Sequence, residues 1–117
     1  MNAVLLKYNA SGVLQWSKNY SGTQGMSDCF VDLKFDNSGN IIAAGSADGD
    51  YYLDSASALL QKYSANGNLI WTQIYHTINP GGEVGSKLLV EKIDNIYVMG
   101  RSQHYLGLNP SVSFALK

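Results

Sequence analysis

The sequence predicts an all-β protein made of repeated, four-stranded antiparallel sheets. Three observations predict it. An offset of 55 residues brings the chain into register with itself, and short apolar or alternating runs recur between dense turn signals. No window long enough for a helix carries a 3.6-residue period without being broken by Gly or Asn.

The repeat is clearest where residues 3–20, AVLLKYNASGVLQWSKNY, align with 58–75, ALLQKYSANGNLIWTQIY. Nine of these eighteen positions are identical, among them Lys7/Lys62, Tyr8/Tyr63, Gly12/Gly67, Leu14/Leu69, Trp16/Trp71 and Tyr20/Tyr75. The offset then continues without a gap through Leu33/Leu88, Asn40/Asn95, Ile41/Ile96 and Gly45/Gly100. Lys117 matches Lys62 and Lys7. The chain therefore reads as one region, 1–117, with a first repeat at about 3–57, a second at about 58–112 and the start of a third at 113–117.

Each repeat holds four strand signals. In residues 28–35, DCFVDLKF, the residues Cys29, Val31, Leu33 and Phe35 alternate with more polar neighbours, the period of a half-buried strand. Cys29, the single cysteine, reads as a small buried hydrophobe there. The run Asp36-Asn37-Ser38-Gly39-Asn40 marks a turn, and the short apolar run Ile41 to Gly45 fits a strand covered on both faces. A variable stretch, Ser46 to Ser55, reads as loop. The third strand is expected at about 57–63 and the fourth at 68–75, with Leu69, Trp71 and Tyr75 on one side. Between them stands Asn66-Gly67, a hairpin marker whose place in the first copy is taken by Ser11-Gly12. The second repeat gives matching strands near 84–90, 95–100 and 112–117. Its first turn, Glu91 to Asn95, has lost the glycine and is expected to be altered.

A four-stranded sheet this small, with large apolar residues on both sides of several strands, cannot cover its own faces and must stack on copies of itself. Four short strands per repeat is the composition of a β-propeller blade. Labelling the strands of a blade a to d from the axis outwards, the chain reads c-d-a-b-c-d-a-b-c. Only residues 28–75 form a complete blade. Three or four copies of such a chain give six or eight blades, with residues 1–20 of one copy completing the last blade of its neighbour. Residues 2–8 and 112–117 then compete for one strand position. The other reading is that further blades belong to a longer parent chain.

The pattern Lys-Tyr-x-x-x-Gly-x-Leu-x-Trp at Lys7–Trp16 and Lys62–Trp71, with the run Phe35 to Gly45, resembles the bacterial SBBP-type β-propeller repeat over nearly the whole chain. The resemblance implies a propeller of the secreted or cell-surface bacterial kind, often part of a larger protein. The Gly-x-x-x-Trp spacing is also similar to the tryptophan-docking motif of quinone-dependent dehydrogenase propellers, where the Trp locks adjacent blades. The sialidase Asp-box, with Gly three residues before Trp, does not fit, because Gly12 and Gly67 lie four before theirs.

Composition narrows the function classes. Charged residues are 15% of the chain, the formal net charge is −1, and Lys and Arg do not cluster, so no nucleic-acid footprint is expected. The longest apolar runs are a few residues, too short to span a bilayer as a helix. Residues 1–7 lack the basic and apolar stretches of a secretory signal.

Candidate chemistry is sparse. His76 and His104 fall in or near loops without Cys or acidic residues at metal-ligand spacing. Asp48, Asp50 and Asp54 could coordinate calcium, but lack the ligand order of an EF-hand loop and have no acidic counterparts in residues 101–110. Asp28, Asp32 and Asp36 share one side of a regular strand, and their second-repeat counterparts are Glu83, Lys87 and Glu91. The loss of the middle carboxylate speaks against a repeated metal site, and Asp36 fits a turn-capping role. No nucleophile motif, phosphate loop or Ser–His–Asp set is legible, so neither catalytic residues nor a cofactor is expected. Trp16 and Trp71, at repeated positions, read as wedges between blades rather than sugar platforms. The expected function is a non-catalytic module, binding a glycan or protein through the loops that differ most between copies: 21–27, 46–56, 76–83 and 101–111. The alternatives are a multivalent, lectin-like ring and a fragment of a propeller enzyme whose active residues lie in other blades.

Overall fold

The computed structural model describes residues 1–49, 56–76, 82–102 and 112–116. Asp50, Asp54, His104 and Lys117, and parts of the variable loops, lie outside them. Among the described residues nine strands form three antiparallel sheets, and no helix occurs. The first sheet is the hairpin β1 (Ala3–Tyr8) and β2 (Leu14–Tyr20). The second is a four-stranded meander of β3 (Ser27–Phe35), β4 (Ile41–Gly49), β5 (Ser57–Tyr63) and β6 (Leu69–Tyr75). The third contains β7 (Glu83–Val90), β8 (Ile96–Ser102) and β9 (Val112–Leu116).

The four tight turns share one design. In each, a backbone N–H bonds the carbonyl four residues on, and the N–H three residues on returns to the first residue's carbonyl: Asn9–Val13, Asp36–Asn40, Ser64–Asn68 and Glu91–Asn95. The fourth turn residue needs a left-handed backbone, supplied by Gly12, Gly39 and Gly67 at φ of 77°, 78° and 82°. In the fourth turn Asp94 takes that place at φ 62°. The turn expected to be altered by its sequence is thus kept, because Asp tolerates this region better than most side chains do.

β4 is buried along Ile41–Ala47 because both of its faces are covered. Cross-strand partners share a face. Ile42 and Ala44 pack with Leu88 and Val98 of the third sheet, joined by Leu60, Val90 and Ile96. The opposite face carries Ala43, Gln61, Leu59 and Tyr63 and meets the first sheet, whose Leu5 shares a hollow with Phe30, Leu33 and Ala43. The second sheet is therefore the filling between the other two. At the seam with the third, the Leu88 N–H donates to Asp32 Oδ2 at 2.8 Å, and Asn37 N–H donates to Asp94 Oδ1 at 3.0 Å.

A β-bulge recurs at the 55-residue offset. Phe30 faces Gly45 and Asp32 faces Ala44, leaving Val31 as the extra residue; Gly85 faces Gly100 and Lys87 faces Met99, leaving Ser86. A Cβ on Gly45 would lie 1.8 Å from the Cys29 carbonyl oxygen, so the bulge explains the repeated glycine. Gly85 abuts Gly45 across the sheets, its ideal Cβ 3.1 Å from the Gly45 carbonyl oxygen, which lets β4 and β7 approach closely.

Four expectations are corrected. β4 runs to Gly49, so the first part of the variable stretch is strand. Cys29, Val31, Leu33 and Phe35 are exposed rather than buried, while Asp28 is buried and Phe30 and Asp32 are half-buried: neighbouring sheets cover the opposite pattern from the one that polarity suggests. A bulge at Ile70 sets Leu69 opposite Tyr63 and Trp71 opposite Lys62, so Leu69 is not on the side of Trp71 and Tyr75. The bulges in β3 also break the Asp28–Asp32–Asp36 row, and each carboxylate turns to a different task.

Candidate functional site

The strand ends divide the molecule into a constant end and a variable end. The four tight turns occupy the constant end. At the other lie the start of β1, the 21–26 loop, the end of β4, the start of β5, and the approaches to β7 and from β8. All loops that differ most between the two copies emerge here.

Two repeat-equivalent carboxylates, Asp28 and Glu83, anchor this end at the starts of β3 and β7. Asp28 is buried; its Oδ2 accepts from Gly22 N–H and its Oδ1 from Asp48 N–H, each at 2.9 Å. Asp48, in a left-handed conformation at φ 54°, accepts from Gln24 N–H at 3.0 Å and Thr23 N–H at 3.3 Å. These two carboxylates bind backbone donors and hold the 22–24 loop in shape. The Tyr20 phenol beside them has its pKa raised, first by burial and then by the charges of Asp48 and Asp28. Of the calcium candidates, Asp48 thus serves the loop, and Asp50 and Asp54 lie outside the described residues. No group of three or more metal-ligating side chains occurs among the described residues.

Glu83, the counterpart of Asp28, is fully buried. Ser102 Oγ donates to its Oε1 at 3.2 Å, and His76 Nδ1 lies 3.4 Å from its Oε2. Ser57 Oγ lies 3.3 Å from the same His76 Nδ1. The structure brings a serine, a histidine and a carboxylate together, which the sequence did not reveal; the one available signal was that Glu83 and Asp28 share a repeat position. The set is not a nucleophile relay. A relay needs the carboxylate on one ring nitrogen and the hydroxyl on the other, whereas both meet Nδ1 here. The half-exposed imidazole instead offers hydrogen bonds at the rim.

The repeated residues hold the frame. Lys62 Nζ lies 2.6 Å from Asp36 Oδ2 in a nearly buried pair, and Asp36 also accepts from Asn40 and from the N–H groups of its own turn. Burial by itself would raise the Asp36 pKa, but the hydrogen bonds from Lys62 and Asn40 outweigh it and hold the carboxyl at about 2. Tyr63 is buried and donates to Gln61 Oε1 at 2.6 Å. Lys7 Nζ donates to the Ala65 carbonyl at 2.9 Å, and Trp16 Nε1–H donates to the same carbonyl at 3.4 Å. The Trp16 indole lies over Gly67, where an added Cβ would stand 2.9 Å away. Trp16 therefore bridges two sheets. Trp71 instead faces an open groove of about 480 Å³, together with Leu60, Gln73, Tyr75, Ile96 and Val98. Tyr8 and Leu14 are exposed, Tyr20 and Gly45 lie at the variable end and the first bulge, and Gly100 is buried opposite Gly85.

Compared with known proteins, the chain matches no family model, and no curated protein shows significant similarity to it.

Proposed function

We propose that this chain is a non-catalytic β-propeller repeat module that binds a glycan or protein through its variable end. One observation carries the reading: two copies of one sheet design share a constant turn end, while the described strand ends that flank the strongly diverging loops lie at the opposite end, beside the anchored Asp28 and Glu83. Such a division keeps the frame constant and lets the contact surface change. The propeller arrangement is supported by the meander order of the second sheet, by its two covered faces, and by the close approach of β4 to β7 at Gly45 and Gly85, which draws successive sheets together along one side. The resemblance to SBBP-type repeats supports a bacterial extracellular or cell-surface setting. His76, Thr23 and Gln24 are the described side chains best placed to meet a ligand at this rim.

Binding of the intact chain to glycan arrays and in protein pull-downs tests the reading. A hit is expected to weaken with His76→Ala or Gln24→Ala at the variable end and to persist with Asn66→Ser at the constant end. Blank screens, or a hit abolished only from the constant end, overturn it.

A further inference from the structure

Hairpin β1–β2 is built like hairpin β5–β6, yet it lacks two of that hairpin's neighbours. β5 pairs along its inner edge with β4, whereas the matching edge of β1 carries no strand among the described residues. On β5 the face formed by Leu59, Gln61 and Tyr63 is 0, 3 and 3% exposed; the equivalent Val4, Leu6 and Tyr8 are 51, 48 and 54% exposed. Lys62 meets Asp36 on its own sheet, but among the described residues the first sheet has no inner strand to supply such a carboxylate to Lys7.

The third sheet shows the opposite deficit. It carries β7, β8 and, in the third place, β9, but no fourth strand among the described residues, and between β8 and the second sheet stands the groove faced by Leu60, Trp71 and Tyr75. Trp16 shows what a tryptophan at this repeat position holds: the carbonyl and the glycine of the next hairpin's turn. Trp71 faces the place where the next such turn belongs.

We propose that the β1–β2 hairpin of a second copy of this chain fills the groove, pairing with β8 in place of β9. The molecule contains its own template for the register. Ile41 opposite Tyr63, Ala43 opposite Gln61 and Gly45 opposite Leu59 translate to Ile96 opposite the incoming Tyr8, Val98 opposite Leu6 and Gly100 opposite Val4. Ile42 opposite Lys62 translates to Tyr97 opposite Lys7, which brings the incoming ammonium to Glu91, the residue at the Asp36 position. Val4, Leu6 and Tyr8 then lie against Leu60 and Trp71, and the incoming Ala10–Gly12 turn lies under the Trp71 indole. β9 follows the same register on β8, with Val98 opposite Leu116, but it brings one strand where the hairpin brings two. The contact is head to tail, each copy giving a hairpin at one side and receiving one at the other, so it propagates until it closes. Closure at three or four copies gives six or eight sheets, within the usual range of propellers.

Light scattering of the purified chain across a concentration series tests the proposal. A mass of three or four copies is expected, and Leu6→Arg should reduce it to one copy while the strand signal in far-ultraviolet circular dichroism persists. Lys7→Glu should weaken association roughly tenfold, and Glu91→Lys in the same chain should restore it. Ala115→Pro, which handicaps β9, should leave association as strong or stronger. A single-copy mass at every concentration overturns the proposal and leaves the groove to a further repeat of a longer chain. Association unmoved by Leu6→Arg and Lys7→Glu, or lost with Ala115→Pro, also overturns it. A blank binding screen at the variable end leaves it untouched.

Discussion

Hairpins β1–β2 and β5–β6 share nine identical residues, the same turn and the same bulge, yet they live in different surroundings. β5 is held at both edges, the face carrying Leu59, Gln61 and Tyr63 is covered, and Leu59 and Tyr63 are core residues. β1 is held at one edge and covered on one face, and its Val4 and Tyr8 face outwards. The difference teaches that the repeat encodes an interface rather than a sheet. A strand's apolar residues are written for a neighbour, and burial follows only where that neighbour is present.

Matched substitutions sharpen the comparison, each measured by denaturant unfolding at a dilution where copies do not associate. The largest contrast is expected from Leu59→Ala against Val4→Ala. The first opens a cavity in a closed site and should cost about 2–5 kcal/mol, whereas the second removes an exposed group and should cost less than about 1 kcal/mol. Equal losses would show that the first sheet is buried in a way the structure does not contain.

The paired lysines come next. Lys62→Ala leaves the buried Asp36 carboxylate without its cation and should cost about 3 kcal/mol; Lys7→Ala removes an exposed contact and should cost about 0.5 kcal/mol or less. The Asp36 carboxyl is depressed from its ordinary 3.8 to about 2. The contacts of the ionised carboxyl together, from Lys62, Asn40 and the turn N–H groups, therefore contribute about 2 kcal/mol above its unfolded-state pKa, a contribution that drains away as pH falls from about 4 through about 2. In Lys62→Ala that depression shrinks, so acid unfolding should begin at a higher pH. An acid profile identical to the parent's would remove the pair from the account.

The turn glycines give a smaller contrast. Gly12 and Gly67 share a left-handed backbone, but a Cβ at Gly12 meets nothing within 4 Å and one at Gly67 meets the Trp16 indole. Gly12→Ala should cost about 1 kcal/mol for the backbone alone, and Gly67→Ala about 2 kcal/mol because the indole must also move. The smallest effect belongs to Asp94→Gly, which relieves a left-handed non-glycine residue and should stabilise by about 0.5 kcal/mol, less any value of the Asn37 contact to Asp94.

Much of the frame was legible before any coordinates. Turn chemistry is local, so Gly12, Gly39 and Gly67 announced their turns, and the short apolar run Ile41 to Gly45 announced a strand covered twice. The face of β3 was not legible. Alternation at Cys29, Val31, Leu33 and Phe35 reports which side is apolar, but exposure depends on which side a neighbouring sheet reaches, and the bulge at Val31 shifts the pattern midway. The Ser57–His76–Glu83 cluster was equally hidden, because three separate strand ends meet there.

The sequence alone determined the repeat, its strands and its turns, because these depend on side-chain period and on backbone conformations that only certain residues adopt. Tertiary structure decided which faces are buried, which carboxylates anchor loops and which hairpin is left incomplete. Those outcomes depend on contacts between residues tens of positions apart, and two nearly identical segments therefore end in different environments.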